Sequence, residues 1–219
     1  MNQTKPYKGL GMEGATARWY ARLTGKEMEE FRTLARRIAA ELPDGARILE
    51  VAPGPGYFAI ELAKLGHFRI TGLDVSHTFV DIARSNSVEA GVAVDFQQGN
   101  ASALPFDDES FDFLLCRAAF KNFSEPVRAL EEMHRVLAVG CRALIIDMRG
   151  DASDQSIRDA VDAMHSGPVN RLITRWTFRH MLLKRAYTRD EFARLVAQTK
   201  FGSARIEEDP LGFEVSLRR

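Results

Sequence analysis

Residues Ile48–Gly66 read ILEVAPGPGYFAIELAKLG. The stretch begins as a short apolar run typical of a buried strand and ends in apolar residues at helical spacing. Between them, Ala52-Pro53-Gly54-Pro55-Gly56 packs two glycines and two prolines into one turn. Gly54 and Gly56 let the backbone approach a ligand with no side chain in the way. The loop opens a helix whose first N–H groups are unpaired and carry partial positive charge. Such a turn suits a phosphate, a carboxylate or a purely structural bend. The spacing Gly54-x-Gly56-x-x-Ala59 also fits the loose dinucleotide-binding fingerprint.

The flanking sequence repeats this strand–helix unit. Strands are predicted at RILEV, FRITGLDV, VAVDFQQ, FDFLLCR and RALIIDM. Helices are predicted at GYFAIELAKL, HTFVDIARSNSVEA and PVRALEEMHRVLA, the last capped by Ser124 with Pro126 in its first turn. Apolar strands alternating with helices imply a doubly wound α/β fold, a mostly parallel sheet covered on both faces, with ligands at the carboxyl ends of the strands. Residues 1–43 add N-terminal helices, in which Met28, Phe31, Leu34, Ala35 and Ile38 form one apolar stripe. After Met148 the segment 150–187 is long for a connection and is expected to be a helical lid over the site. A capping box at Thr188–Glu191 then starts a helix. SARIEED and LGFEVSLRR follow, joined through Asp209-Pro210 as an antiparallel hairpin, which completes a seven-stranded sheet in a single domain spanning 1–219.

Composition narrows the function. The 219 residues carry 30 basic and 30 acidic side chains, so no net charge draws the chain to nucleic acid or an anionic membrane. Cys116 and Cys141 read as buried strand thiols. The histidines and acids show no metal-ligand spacing, and no metal is expected. The first residues hold no apolar signal core and no stretch reaches membrane-span length, so a cytoplasmic protein without a membrane partner is expected.

Three positions sharpen the site. Glu50 ends the first strand, where its carboxylate is a poor neighbour for a pyrophosphate and a good one for an ammonium or hydroxyl group. Asp74 ends the second strand about twenty residues after the glycines, where a carboxylate can accept two hydrogen bonds from a ribose diol. Asn100 and the Ala101 amide follow the third strand, at the sheet edge, where an adenine can be read.

EVAPGPG, GLDVS, GNASALPFDDESFDFLLCR and ALEEMHRVLAVGCRALIIDM resemble the successive motifs of class I S-adenosylmethionine-dependent methyltransferases. The resemblance runs from Arg47 to Met148 and implies a Rossmann-like methyltransferase fold with S-adenosyl-L-methionine as cofactor. It implies that the loop at Ala52, Gly54, Gly56 and Tyr57 wraps the amino-acid part of the cofactor. Asp74, with Val75 and Ser76, holds the ribose, and Asn100 and Ala101 hold the adenine. Arg117 contributes its backbone, and Tyr20 resembles an N-terminal tyrosine that folds over the cofactor. The family often has glycine at position 52 and aspartate at position 100, so the turn is more constrained here and the adenine contact is uncharged. Acceptor-binding residues are expected at Phe120, Lys121 and Asn122, with Lys121 otherwise a solvated loop lysine. In the lid they are expected at His165, Arg175, Trp176 and Arg179. No catalytic base stands out. The partner is then a small-molecule methyl acceptor, and the enzyme a monomer or homodimer. The rival readings are an RNA or protein methyltransferase, an NAD(P)-dependent oxidoreductase, and a non-catalytic module that has kept the fold.

Overall fold

The structure is a computed structural model that describes residues 7–8, 11–25, 28–163 and 183–219. In chain order the elements are α1 (Gly14–Thr24), α2 (Met28–Ala39), β1 (Arg47–Val51), α3 (Tyr57–Ala63), β2 (Arg69–Asp74), α4 (His77–Glu89), β3 (Asp95–Gln98) and β4 (Phe111–Arg117). They continue as α5 (Pro126–Val136), β5 (Leu137–Met148), α6 (Asp154–Ala163), α7 (Arg189–Ala197), β6 (Arg205–Glu208) and β7 (Gly212–Arg218).

Seven strands form one sheet in the order β3-β2-β1-β4-β5-β7-β6. The β1–β2, β2–β3, β1–β4 and β4–β5 pairs are parallel, and β7 runs antiparallel to both β5 and β6. The order reverses between β1 and β4, which creates the crevice where open α/β sheets bind ligands. Successive side chains of a strand point to opposite faces. In β1, Ile48 joins the core under α2, α3 and α4, whereas Leu49 and Val51 join the core under α5 and α7. Both faces are covered, and this is why β1 and β4 are nearly unbroken apolar runs.

Local chemistry explains most boundaries. Ser76 caps α4 by accepting the Phe79 N–H at 3.1 Å. Thr188 and Glu191 form the reciprocal capping box of α7. The expected Ser124 cap does not form: Glu125 occupies the N-cap of α5, and the Ser124 hydroxyl is buried without a partner among the described residues. The fifth strand was expected to begin at Arg142 but starts at Leu137, directly after α5, and turns through Gly140 at φ +79°. Cys116 is a free buried thiol, and Cys141 is free and half-buried. No described helix is long and apolar enough to cross a membrane.

The segment after β5 leaves from the carboxyl end of that strand. Its two ends are clasped, with the Gly150 N–H donating to the Tyr187 carbonyl at 2.9 Å. A Cβ at Gly150 would lie 2.4 Å from the Ala186 carbonyl oxygen, so this close passage requires glycine. Ile157, Val161 and Leu183 form a small core of their own against Met148, Ala152 and Leu211. The lid residues His165, Arg175, Trp176 and Arg179 lie outside the described residues.

Candidate active site

The glycine loop sits between β1 and α3 and uses three left-handed residues: Ala52 at φ +57°, Gly54 at +55° and Gly56 at +79°. An alanine in that region is strained by about 1–2 kcal/mol. A second alanine, Ala118, adopts φ +57° immediately after β4. The two strained residues therefore flank the crevice between β1 and β4. The two loop glycines do different work. A Cβ at Gly54 would meet nothing within 4 Å, so its open side faces outward. A Cβ at Gly56 would lie 2.6 Å from Phe96 and 2.9 Å from Ala83. Gly56 thus makes room for the core under the loop, which corrects the expectation that it clears space for a ligand.

Asp74 ties the loop to β2. Its carboxylate accepts the Gly54 N–H at 3.0 Å and the Ser76 N–H at 2.9 Å. Burial raises its pKa above the ordinary aspartate value, against these hydrogen bonds. Each carboxylate oxygen has two lone-pair sites, so capacity remains for ligand hydroxyls. Glu50 is buried and accepts the Ala59 N–H of α3 at 3.1 Å. Burial pushes its pKa up to about 8, opposed by that hydrogen bond and by the nearby Arg117 charge. Asn100 forms a local turn in which its Oδ1 accepts the Ser102 N–H at 3.0 Å. Ala101 packs against the core beside it, and the Val75 carbonyl accepts the Gln98 amide at 3.3 Å.

The N-terminal helices border this edge. Glu13 accepts N–H bonds from His77 and Thr78 at the start of α4, and the Ser76 hydroxyl donates to the Met12 carbonyl at 2.6 Å. The Tyr57 hydroxyl donates to the Ala21 carbonyl at 2.9 Å. Tyr20 packs its ring edge-on against Phe79 of α4, with centroids 5.8 Å apart. The Arg117 side chain turns to α2, pairing with Glu30 at 2.9 Å and lying over the Phe31 ring. Sequence reasoning missed Glu13, and nothing in a lone glutamate before a helix announces that it will cap a helix 64 residues later.

The residues after β4 depart from expectation. Phe120 is fully buried among Phe123, Tyr187 and Phe192, so it is core and not a pocket wall. Lys121 is neither a solvated lysine nor an open pocket residue. Its ammonium donates to Asp147 Oδ1 at 2.6 Å and to the Ala118 carbonyl at 2.8 Å. The Lys121 and Met148 N–H groups also donate to the Asp147 carboxylate. Asn122 is half-buried in the short 3-10 turn 120–122, and its carbonyl accepts the Lys8 N–H. The signal for this pair was an aspartate in the apolar run LIIDM, since a buried charge requires a partner.

The loop has few donors to offer a phosphate. Pro53 and Pro55 have no N–H, the Gly54 N–H is bound to Asp74, the Gly56 N–H to the Pro53 carbonyl and the Ala59 N–H to Glu50. The two buried carboxyl groups beside it offer a pyrophosphate no positive charge. The same set suits a ligand that brings hydroxyls and a positive charge. No group of three or more His, Cys, Asp or Glu arranged to hold a metal ion occurs among the described residues.

Residues 49–145 match the methyltransferase domain family. A demethylmenaquinone methyltransferase of Deinococcus radiodurans is 37% identical over 108 residues, covering 49% of this chain and 45% of that protein. The chain therefore spans less than half the length of that curated relative. A solved structure from Methanococcus maripaludis, described as a candidate S-adenosyl-L-methionine-dependent methyltransferase, superposes with a TM-score of 0.74 at 19% identity. It covers 100% of this chain and 97% of its own. The [4+2]-cyclase SpnF superposes with a TM-score of 0.56 at 22% identity, covering 86% of this chain and 80% of its own. At these identities the two structures share the fold.

Proposed function

We propose that this chain, residues 49–145 of which belong to the methyltransferase domain family, is an S-adenosylmethionine-dependent methyltransferase acting on a small aromatic acceptor of the quinone type. The observation that carries the reading is the loop's donor and acceptor set. Its Gly54 and Ala59 amides are occupied by Asp74 and Glu50, which places two acidic side chains beside the open face of Gly54. That arrangement favours a ribose diol and an ammonium group, and disfavours the dinucleotide of the oxidoreductase alternative.

S-adenosylmethionine, when bound, supplies an electrophilic methyl group on a positively charged sulfur. Asp74 would hold the ribose, Glu50 and the Gly54 face would hold the amino-acid arm, and Asn100 with the Ala101 N–H would hold the adenine. The remaining task of the chain is alignment, since in-line transfer from an activated donor needs placement more than proton transfer, and well-oriented reactants gain several kcal/mol. The Lys121–Asp147 pair holds the floor after β4, where the acceptor would lie. The 150–187 insertion, rooted at the carboxyl end of β5, selects the acceptor. The quinone-type acceptor rests on the relative's activity.

The test is a thermal-shift comparison of S-adenosylhomocysteine with NAD and NADP, followed by methyl-transfer assays on hydroquinones, phenols, amines and RNA. Stabilisation by S-adenosylhomocysteine alone and its release with a hydroquinone are expected. Stabilisation by a nicotinamide dinucleotide alone would sink the reading, and turnover confined to RNA would overturn the acceptor class.

A further inference from the structure

Helix α1 buries Ala17, Ala21 and Thr24, and its other face has no partner among the described residues. That face presents Trp19, 62% exposed, and Leu23, 45% exposed, one helical turn apart. Arg18 and Arg22, also one turn apart, flank them and are exposed. Neither arginine makes an ion pair or a side-chain hydrogen bond among the described residues, whereas Arg32, Arg36, Arg37, Arg47, Arg117 and Arg142 are all paired. The helix GATARWYARLT contains no acidic residue.

Its placement gives this face a use. α1 begins beside Ser76 and Thr78, at the carboxyl end of β2, where the Gly14 N–H donates to Thr78 at 3.0 Å. It ends beside Tyr57, at the start of α3, so it forms a rim of the strand-end crevice. The buried side is held by Glu13, Tyr20 and the Tyr57 bond, which turns Trp19 and Leu23 away from the core.

We propose that the outer face of α1 docks the protein on an anionic lipid bilayer surface. Exposed Trp and Leu flanked by arginine are the composition that settles a helix in the plane of the headgroups, with the arginines on anionic lipid. The absence of acidic side chains on the helix selects this partner over a basic or neutral surface. Such peripheral contact needs no spanning helix, and none occurs among the described residues. Docking holds the crevice rim against the lipid, from which an apolar acceptor would enter. That last consequence rests on the methyl-transfer reading, whereas the docking does not.

The experiment uses the full chain carrying Trp176→Phe, which leaves Trp19 as the sole tryptophan of the two in the sequence. Co-sedimentation and tryptophan fluorescence are followed with phosphatidylcholine vesicles, with and without phosphatidylglycerol. Binding to the anionic vesicles with a blue-shifted Trp19 emission, lost at high salt, is expected. Arg18→Ser with Arg22→Ser should weaken binding at least tenfold, as should Trp19→Ser with Leu23→Ser by sedimentation, each with an unchanged thermal midpoint. No binding to anionic vesicles overturns the proposal, as does binding that both double variants retain. Concentration-dependent self-association through this face, without vesicle binding, would assign it to a second copy of the chain instead. Because S-adenosylhomocysteine binding is measured separately, failure here leaves the methyltransferase reading intact.

Discussion

Burial changes the chemistry of Glu50 strongly. A group whose pKa rises on folding, here from 4.5 to about 8, binds its proton more tightly in the native state. Its contribution to stability is complete below pH 4.5 and is lost as pH rises through about 8. Asp74, shifted in the same direction by burial, adds to the trend. Glu50→Gln keeps an acceptor for the Ala59 N–H without a titrating proton. Thermal melts of the ligand-free protein should therefore show the variant overtaking wild type between pH 6 and pH 8, by roughly 1–3 kcal/mol. Parallel melting curves at all pH values would show that Glu50 is not held neutral. The two loop glycines give a second contrast. Gly54→Ala has open space for its methyl group and should cost about 1–2 kcal/mol of stability from its positive φ. It should weaken S-adenosylhomocysteine binding at least tenfold by calorimetry. Gly56→Ala drives a methyl group into Phe96 and Ala83 and should cost about 2–4 kcal/mol before any ligand is added. Equal binding by wild type and Gly54→Ala would reduce the loop to a turn.

Among the elements, the junction of β4 and β5 is held by charge. Lys121 and Asp147 have side chains 6% and 2% exposed, so removing one partner strands the other in a medium that solvates it poorly. Lys121→Met should cost about 3–5 kcal/mol in chemical denaturation. Combining it with Asp147→Asn removes the stranded charge while keeping an acceptor for the backbone N–H groups, and should recover part of that loss. Strictly additive losses would show that the pair does not act as a unit. The insertion after β5 is a different kind of element, because its ends already meet at the Gly150–Tyr187 hydrogen bond. Replacing residues 151–186 with a short glycine-containing turn should preserve the sheet and keep S-adenosylhomocysteine affinity within a few-fold. Methyl transfer should be abolished. Transfer to the same acceptor at the original rate would remove the insertion from acceptor selection.

At the scale of the whole molecule, stability should grade outward from the centre of the sheet. β1 and β4 are paired on both sides and covered on both faces, whereas β3 and β6 are short edge strands with exposed charges. Native-state hydrogen exchange should be slowest in β1 and β4 and fastest in β3 and β6. Uniform protection across the sheet would show one cooperative unit instead. The proposed site lies at the carboxyl edge of β1 and β4, the strands expected to be most protected, with α1 at its rim.

The order of strands and helices, the parallel sheet and its antiparallel end were legible in the sequence, because apolar periodicity and turn residues act locally and the hairpin allowed only one pairing direction. The capping box at Thr188–Glu191, the tight glycine turn after β1 and the acids closing β1 and β2 were legible for the same reason. Tertiary structure alone decided where the charges go. Lys121 found Asp147 across 26 residues, Glu13 found the start of α4 across 64, and Arg117 left the crevice for Glu30 across 87. It also decided that Gly56 serves Phe96 while Gly54 faces outward, and that Phe120 is core. Period and turn chemistry are properties of neighbouring residues, whereas desolvation and ion pairing depend on which distant elements the sheet brings together. A sequence announces that a buried charge needs a partner, and only the packed fold selects which one it meets.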